Sequence, residues 1–179
     1  MSSNFQKVSN FNALGGNDNK GDWSVADFQL KLIKDEFNEL CDGVESRDIN
    51  EVRDGIADVL VTVYGLAHRL GIDADEDMEE VCESNMSKFD KTMDDAIVTQ
   101  NKYRQIGVET TIHVVQGTVF NGFDFDSVPL YVIKSSFNQT GKDGKNYPAN
   151  KILKSHKFKE PQFKPLPADV LERLKVAAE

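Results

Sequence analysis

The chain has 179 residues, 39% of them hydrophobic, and a mean hydropathy of −0.46, so one domain with a core and an appendage is expected. We find no apolar run of bilayer-spanning length and no signal-peptide pattern at the start, and therefore expect neither a membrane nor a secreted protein. The two cysteines, Cys41 and Cys82, lack metal-site spacing, which predicts reduced thiols packed in helices of a cytoplasmic protein.

The net charge of −9 is unevenly distributed along the chain. Residues 1–129 contain 11 Lys and Arg against 25 Asp and Glu, whereas residues 130–179 contain 10 against 5. The acidic part argues against broad nucleic-acid binding, because phosphates need cations on the protein. The basic tail suits a polyphosphate ligand. A tail that docks on its own acidic domain is an equal alternative.

Apolar side chains at helical spacing predict three helices in the first 70 residues. The first covers about 4–15. The second runs from about 25 to 44, with Ser24 expected as its N-cap. The third runs from about 48 to 70 and is followed by Gly71, a residue suited to the end of a helix. The short connection makes the second and third helices antiparallel neighbours.

The pattern changes in the second half of the chain. A fourth helix begins in the acidic turn 73–77 and extends towards Tyr103, with a break near Asp90. β-Branched residues then favour strands in 108–120 and from 130 to 137. These predict a small antiparallel hairpin or three-stranded sheet. A turn at 141–145 and a last short helix at about 168–178 complete the prediction.

Four carboxylates mark the second and third helices as the candidate site. Glu36 and Glu39 are three residues apart on one helix face, and Asp54 and Asp58 are four apart on the other helix. Like charges at this range repel, and their desolvation is costly unless a cation joins them. Ligation by oxygen alone favours Mg²⁺, with Mn²⁺ as the alternative.

Asp58 is the most informative of these acids. It interrupts the apolar segment 56–61, which we expect to be largely buried, and a lone buried aspartate is costly unless paired. The alternative to a metal ligand is an aspartate that bonds Arg53 or His68 in the core.

These residues resemble a known family. The Glu36-x-x-Glu39 pair, followed after a loop by Asp58 in Ile-Ala-Asp-Val-Leu, is similar to the MazG-like all-α NTP pyrophosphohydrolases, which share their core with phosphoribosyl-ATP pyrophosphohydrolases and dimeric dUTPases. Further segments resemble a bacterial and phage branch of that family; they are 63–67, 70–73, 84–89 and 151–161.

The resemblance implies a mainly α fold with an antiparallel four-helix core. It spans about 5–90 and 145–163, while 91–144 looks like an insertion. The predicted parts are an all-α core at 1–105, an inserted β-hairpin region at 106–145 and a basic C-terminal tail with a short helix at 146–179.

One position departs from the family pattern. Its second acidic motif is usually Glu-x-x-Asp ending at Asp58, but Gly55 stands where that glutamate would be, with Asp54 one residue earlier. Asp54 either replaces the glutamate or leaves the site with fewer metal ions. Asp35 fills an acidic position that often precedes the first motif, which implies a catalytic base or supporting group beside Glu36.

The resemblance also implies substrate-binding residues. Asn85 and Lys88 match family positions that reach the substrate, and Lys154 is a further cation for phosphates. A plain surface location is the alternative for each of them. Three aromatic residues are candidates for stacking a base, although a core role is the commoner one for such residues: Trp23, Phe28 and Tyr64.

The function implied is Mg²⁺-dependent hydrolysis of a nucleoside triphosphate to the monophosphate and pyrophosphate. An impaired nucleotide or metal sensor, or an interaction protein using the hairpin, is the alternative. Apolar surface on so small a helical unit predicts a homo-oligomer, and the resemblance implies a homodimer or homotetramer.

Overall fold

The helices and strands follow the predicted order, with mainly helical structure and small antiparallel strand pairs. The structure is a computed structural model that describes residues 2–120 and 125–175, without side chains at 119, 120, 125 and 126. The elements are α1 (Asn4–Leu14), α2 (Trp23–Ser46), α3 (Ile49–Leu70), α4 (Ala74–Met86), α5 (Met93–Gln105), β1 (Thr110–Phe120), β2 (Phe125–Ser135), β3 (Gln139–Thr140), β4 (Asn146–Tyr147) and α6 (Ala168–Lys175). The last residues predicted for the final helix, 176–178, lie outside the described residues.

The start of α2 differs from the prediction. Its N-cap is Asp22 and not Ser24, because the Asp22 carboxylate accepts hydrogen bonds from the backbone N–H groups of Ser24 (2.9 Å) and Val25 (3.3 Å). The Ser24 hydroxyl also donates to this carboxylate, and these bonds hold the pKa of Asp22 below its usual value. The other predicted boundary is confirmed, since α3 ends at Gly71 with a φ of +75°.

α2 and α3 are antiparallel neighbours, as predicted, and two glycines let their backbones approach closely. A Cβ placed on Gly43 would lie 3.0 Å from the backbone nitrogen of Val52. A Cβ placed on Gly55 would lie 2.8 Å from Leu40 Cα. Neither position accepts a larger side chain without a shift of one helix. These contacts fix which residues of the two helices lie at the same level.

The chain divides into two units, and the first contains the helix pair. It consists of the chain up to Glu79 and from Phe163 onwards. Within it α1 packs on α3. The hydrogen bonds that hold α6 include one from the indole of Trp23 to the Leu174 carbonyl (2.6 Å) and one from Arg173 to the Gly21 carbonyl (2.7 Å). The predicted division into three parts remains a prediction, as do the four-helix core and the basic tail.

The second unit, Glu80–Gln162, contains α5 and the strands. Among its described residues, one hydrophobic cluster of buried side chains contains Ala96, Tyr103, Val108, Ile133, Tyr147 and Leu153. β1 and β2 pair antiparallel, while β3 and β4 form a separate two-stranded sheet. Of the two predicted alternatives, the small antiparallel strand pair is therefore confirmed and the three-stranded sheet is wrong for the described residues. β2 also begins earlier than predicted, because its partner β1 continues to Phe120 and extends the pairing.

A buried polar cluster ties the segment after β4 to the second unit. The Ser155 hydroxyl donates to the fully buried Asp90 carboxylate at 2.5 Å. The backbone of Asp90 forms a bridge with Tyr131 of β2. Beside this pair, His156 contacts the hydroxyl of Thr99 at 3.1 Å. The segment is thus held by side chains rather than by regular secondary structure.

Both cysteines are free thiols. Cys41 is partly buried, but Cys82 is exposed, so the prediction of a packed thiol is wrong for Cys82. Within the described residues no single helix has the length and apolar composition of a membrane span. The bent pair of α3 and α4 meets these two criteria only when the helices are counted together.

Candidate active site

Four predicted carboxylates lie along one side of the α2–α3 pair. Glu36 and Glu39 come from α2, and Asp54 and Asp58 come from α3. The close contact of Gly55 with Leu40 brings the two acidic segments to the same level. Glu36 and Asp58 are partly buried, whereas Glu39 and Asp54 are exposed. The site is therefore open to solvent along one edge.

Glu36 is the electrostatic centre of this group. Burial raises the pKa of the Glu36 carboxyl above its ordinary value of 4.5, and the negative charges of Glu39, Asp58, Asp35 and Asp54 raise it further. Every carboxylate predicted for the site thus acts on Glu36. The two helices thus bring five acidic residues into one region. Their mutual repulsion and partial desolvation destabilise the fold when no cation is bound.

The surroundings of Asp58 differ from the prediction. Ile56, Leu60 and Val61 are all exposed, so the segment 56–61 is not largely buried. His68, one proposed partner of Asp58, instead contacts the carbonyl of Asn17 at 3.1 Å. Asp58 is a partly buried acid beside other acids, and its role is not that of a core salt bridge with His68.

Gly55 faces the interior of the helix pair. Its Cα lies against the Leu40 backbone, and position 55 is buried. A side chain at this position would meet α2 before it reached the carboxylates. Asp54 is therefore the residue of this turn that adds a negative charge near Glu36.

The donor set fits a hard divalent cation in its chemistry, since it consists of carboxylate oxygens that repel one another. Within residues 2–120 and 125–175, no three His, Cys, Asp or Glu side chains converge closely enough to hold a metal ion. The charges of Glu39, Asp54 and Asp58 nonetheless act on Glu36, so the four carboxylates belong to one electrostatic group.

The predicted substrate-binding residues lie in the second unit. The Lys88 ammonium donates to the Asn85 side chain at 2.6 Å, so these two residues are adjacent as predicted. The Lys154 ammonium forms an exposed ion pair with Glu160 (2.6 Å) and lies 4.0 Å from the centre of the Phe158 ring. Exposed pairs of this kind contribute little to stability and exchange readily.

The three candidate aromatic residues differ in their surroundings. The Tyr64 ring packs at 5.9 Å against Phe5, while the Trp23 indole is bonded to α6. The Phe28 ring is 54% exposed, and the guanidinium of Arg69 lies 5.9 Å from its centre. The expectation of a core role is wrong for Phe28 and for Trp23, which is 46% exposed.

An exposed row of apolar side chains is the feature that the sequence analysis missed. The members recur every seven residues on each helix, and we call them the apolar flank: Trp23, Leu30, Phe37 and Val44 on α2, with Ile49, Ile56 and Val63 on α3. Their seven-residue spacing, which is typical of helix–helix seams, could have identified them.

Residues 25–105 match the model of the MazG-like family. The resemblance predicted from the acidic motifs is confirmed over 25–90, which contains all four carboxylates. The match continues through 91–105, where an insertion was predicted. The chain is also similar to the uncharacterized protein L479 of Acanthamoeba polyphaga mimivirus, with 32% identity over 141 residues. That match covers 78% of this chain and 47% of L479, so the chain spans about half the length of this relative.

Proposed function

We propose that the protein is a Mg²⁺-dependent nucleotide pyrophosphohydrolase that converts a (deoxy)nucleoside triphosphate to the monophosphate and pyrophosphate. The MazG-like segment supports the general class, nucleotide pyrophosphohydrolase. The observation that carries the proposal is the placement of Glu39, Asp54 and Asp58 from two packed helices near enough to Glu36 for their charges to act on it. Carboxyl groups under this kind of mutual influence cluster at functional sites.

Each carboxylate has a proposed role. Glu36, Glu39, Asp54 and Asp58 would hold Mg²⁺, or Mn²⁺ in its place. When bound, the cation would neutralise charge on the triphosphate and increase the acidity of water. The negative potential that raises the pKa of Glu36 is also the potential that attracts such a cation.

Glu36 is the proposed catalytic base. A water molecule attacks the α-phosphorus, the new oxygen–phosphorus bond forms, and the bond to the β-phosphate oxygen breaks with release of pyrophosphate. Glu36 accepts the proton of the attacking water. Asp35, the exposed neighbour in sequence, is the alternative acceptor of this proton.

Pyrophosphate release from a panel of NTPs and dNTPs tests this function. The wild-type chain is expected to release pyrophosphate only with Mg²⁺ or Mn²⁺, and Glu36→Gln is expected to lose at least 100-fold, about the contribution of a general base. Asp42→Asn, an exposed acid elsewhere on α2, is the matched control. Absence of release from every nucleotide in the presence of either cation would rule the proposal out.

Asn85, Lys88 and Lys154 remain proposed substrate-binding residues. Lys88 and Asn85 together offer an ammonium and an amide at 2.6 Å from each other, which suits a phosphate oxygen. Lys88→Met and Lys154→Met should raise KM for the nucleotide more than they lower kcat. Unchanged KM values would assign these residues to the surface.

A homo-oligomer is the second part of the proposal, and the apolar flank supports it. Isolated apolar side chains are common on surfaces, but a row on two adjacent helices is typical of an interaction face. A second copy of the chain is the proposed occupant, because the seven-residue spacing on both helices matches the seam between two such helix pairs.

A sensor that binds nucleotide without hydrolysing it is the alternative function. It rests on the absence of the usual motif glutamate at Gly55. Restoring that glutamate is not a clean test, because position 55 contacts the backbone of α2. Mg²⁺-dependent nucleotide binding by calorimetry without release of pyrophosphate would favour the sensor.

A further inference from the structure

Phe28 lies on the same side of the helix pair as the carboxylates. On α2 it is seven residues before Asp35 and eleven before Glu39, which are whole numbers of helical turns to a close approximation. On α3 its neighbour Arg69 is eleven residues after Asp58. The acidic group and the Phe28–Arg69 pair therefore lie on one surface of the first unit, at different positions along the helix axes.

We propose that Phe28, backed by Arg69, is the surface on which the base of the nucleotide stacks. The proposal rests on the proposed function, because it assigns a part of the same substrate. It adds a residue that determines how the base is held and thus the range of bases accepted.

The exposure and orientation of the ring support this role. Phe28 is 54% exposed, which leaves ring surface open to a ligand. The guanidinium of Arg69 lies within cation–π range, at 5.9 Å from the ring centre. Arg69 also donates to the buried side chain of Gln29 at 3.3 Å, and Gln29 donates to the Thr62 carbonyl at 3.1 Å. This chain of contacts joins α2 to α3 and limits the movement of the pair.

The separation from the carboxylates suits one nucleotide. Phe28 and Glu36 are eight residues apart, which is about 12 Å along a helix axis. A nucleoside triphosphate extended along this surface can place its base at Phe28 and its phosphates at the acidic group. Stacking uses the face of a base and not its edge, so a broad range of bases is expected.

The other aromatic candidates do not meet these conditions. Trp23 belongs to the apolar flank and donates its indole N–H to the Leu174 carbonyl, and Leu30 in the same row is only two residues from Phe28. Two residues correspond to about 200° around a helix, so that row lies on nearly the opposite side. Tyr64 is packed against Phe5.

Steady-state hydrolysis gives the first test. Phe28→Ala should raise KM about tenfold, with kcat changed less than twofold, and Phe28→Trp should restore a KM near that of the wild type. Phe11→Ala, which truncates a more exposed phenylalanine on α1, is the matched control and should change neither constant. An unchanged KM for Phe28→Ala would overturn the proposal.

Fluorescence gives a second test that does not depend on turnover. Trp23 is the sole tryptophan of the chain, so the wild type reports the background. Saturating ATP with Mg²⁺ should quench the additional emission of Phe28→Trp, whereas inorganic tripolyphosphate, which has no base, should not. No quenching by ATP would overturn the stacking proposal. Quenching by ATP in a protein that hydrolyses no nucleotide would instead overturn only the proposed function.

Discussion

Gly55 lies directly against Leu40, so closely that a Cβ at position 55 would be 2.8 Å from Leu40 Cα. This contact explains why the residue expected to be a glutamate can be a glycine without loss of the acidic group. The helices approach at this point, and Asp54, one residue earlier, lies near enough to act on Glu36. In this chain Gly55 allows the close packing of the helices, and the neighbouring Asp54 provides the fourth carboxylate.

Gly55→Ala should destabilise the protein, because the added methyl group meets the backbone of α2. We expect a loss of about 1–3 kcal/mol in the free energy of unfolding, as for other overpacked sites. Chemical denaturation measures it. Gly15→Ala is the control, since a Cβ there has only ordinary contacts, the nearest at 3.4 Å. Equal stability of wild type and Gly55→Ala would contradict the close packing.

Glu36→Gln should increase thermal stability while it removes activity. The charged form of Glu36 is disfavoured in the folded protein by burial and by four other acids, and glutamine removes that cost. Differential scanning fluorimetry at pH 7 without divalent cations should therefore give a higher Tm than for the wild type. An unchanged or lower Tm would mean that the acids do not repel one another at Glu36.

The pH dependence of stability should follow the same carboxyl group. Because the pKa of Glu36 is raised in the fold, the folded state binds more protons than the unfolded state between pH 4.5 and the raised pKa. The stabilisation is present below pH 4.5 and is lost as the pH rises through the folded pKa. A Tm–pH profile of Glu36→Gln should lack this decrease, whereas the Asp42→Asn profile should keep it.

The acidic site was predictable because helical spacing decides which residues share a face. Glu36 with Glu39 and Asp54 with Asp58 needed only this rule, and the short link between the helices placed the pairs together. The exposure of Phe37 and Ile56 was not predictable in the same way. An apolar residue at helical spacing is compatible with the core and with an intermolecular interface. Which of the two applies depends on where α1 packs against α3, and the sequence pattern does not show this. The N-cap at Asp22 was missed because Asp and Ser are equally good caps.

Charge on the apolar flank should separate the copies of the chain. Phe37 is 54% exposed and lies nearly opposite Glu39 around α2, since two residues correspond to about 200° of a helix. The Phe37→Glu variant should therefore fold, but an interface would have to bury its unpaired charge, which is costly. Light scattering after size exclusion should show a dimer or tetramer for the wild type and a monomer for the variant. Leu14→Glu, at an exposed position on α1 outside the flank, should keep the wild-type mass. A monomeric wild type would contradict the prediction.

The buried pair of Ser155 and Asp90 should be the main polar support of the second unit. The Ser155 hydroxyl donates to one carboxylate oxygen of Asp90 at 2.5 Å, and the other oxygen is buried without a hydrogen-bond partner. Ser155→Ala removes this donor and leaves a buried acceptor unsatisfied, so we expect a loss of about 2–3 kcal/mol. Ser136→Ala, at an exposed serine, should cost much less. In the double variant, Asp90→Asn should partly restore the stability lost in Ser155→Ala, because it removes the buried charge. The denaturation midpoints of the wild type, the two single variants and the double variant measure this coupling. Additive effects of the two substitutions would contradict the prediction.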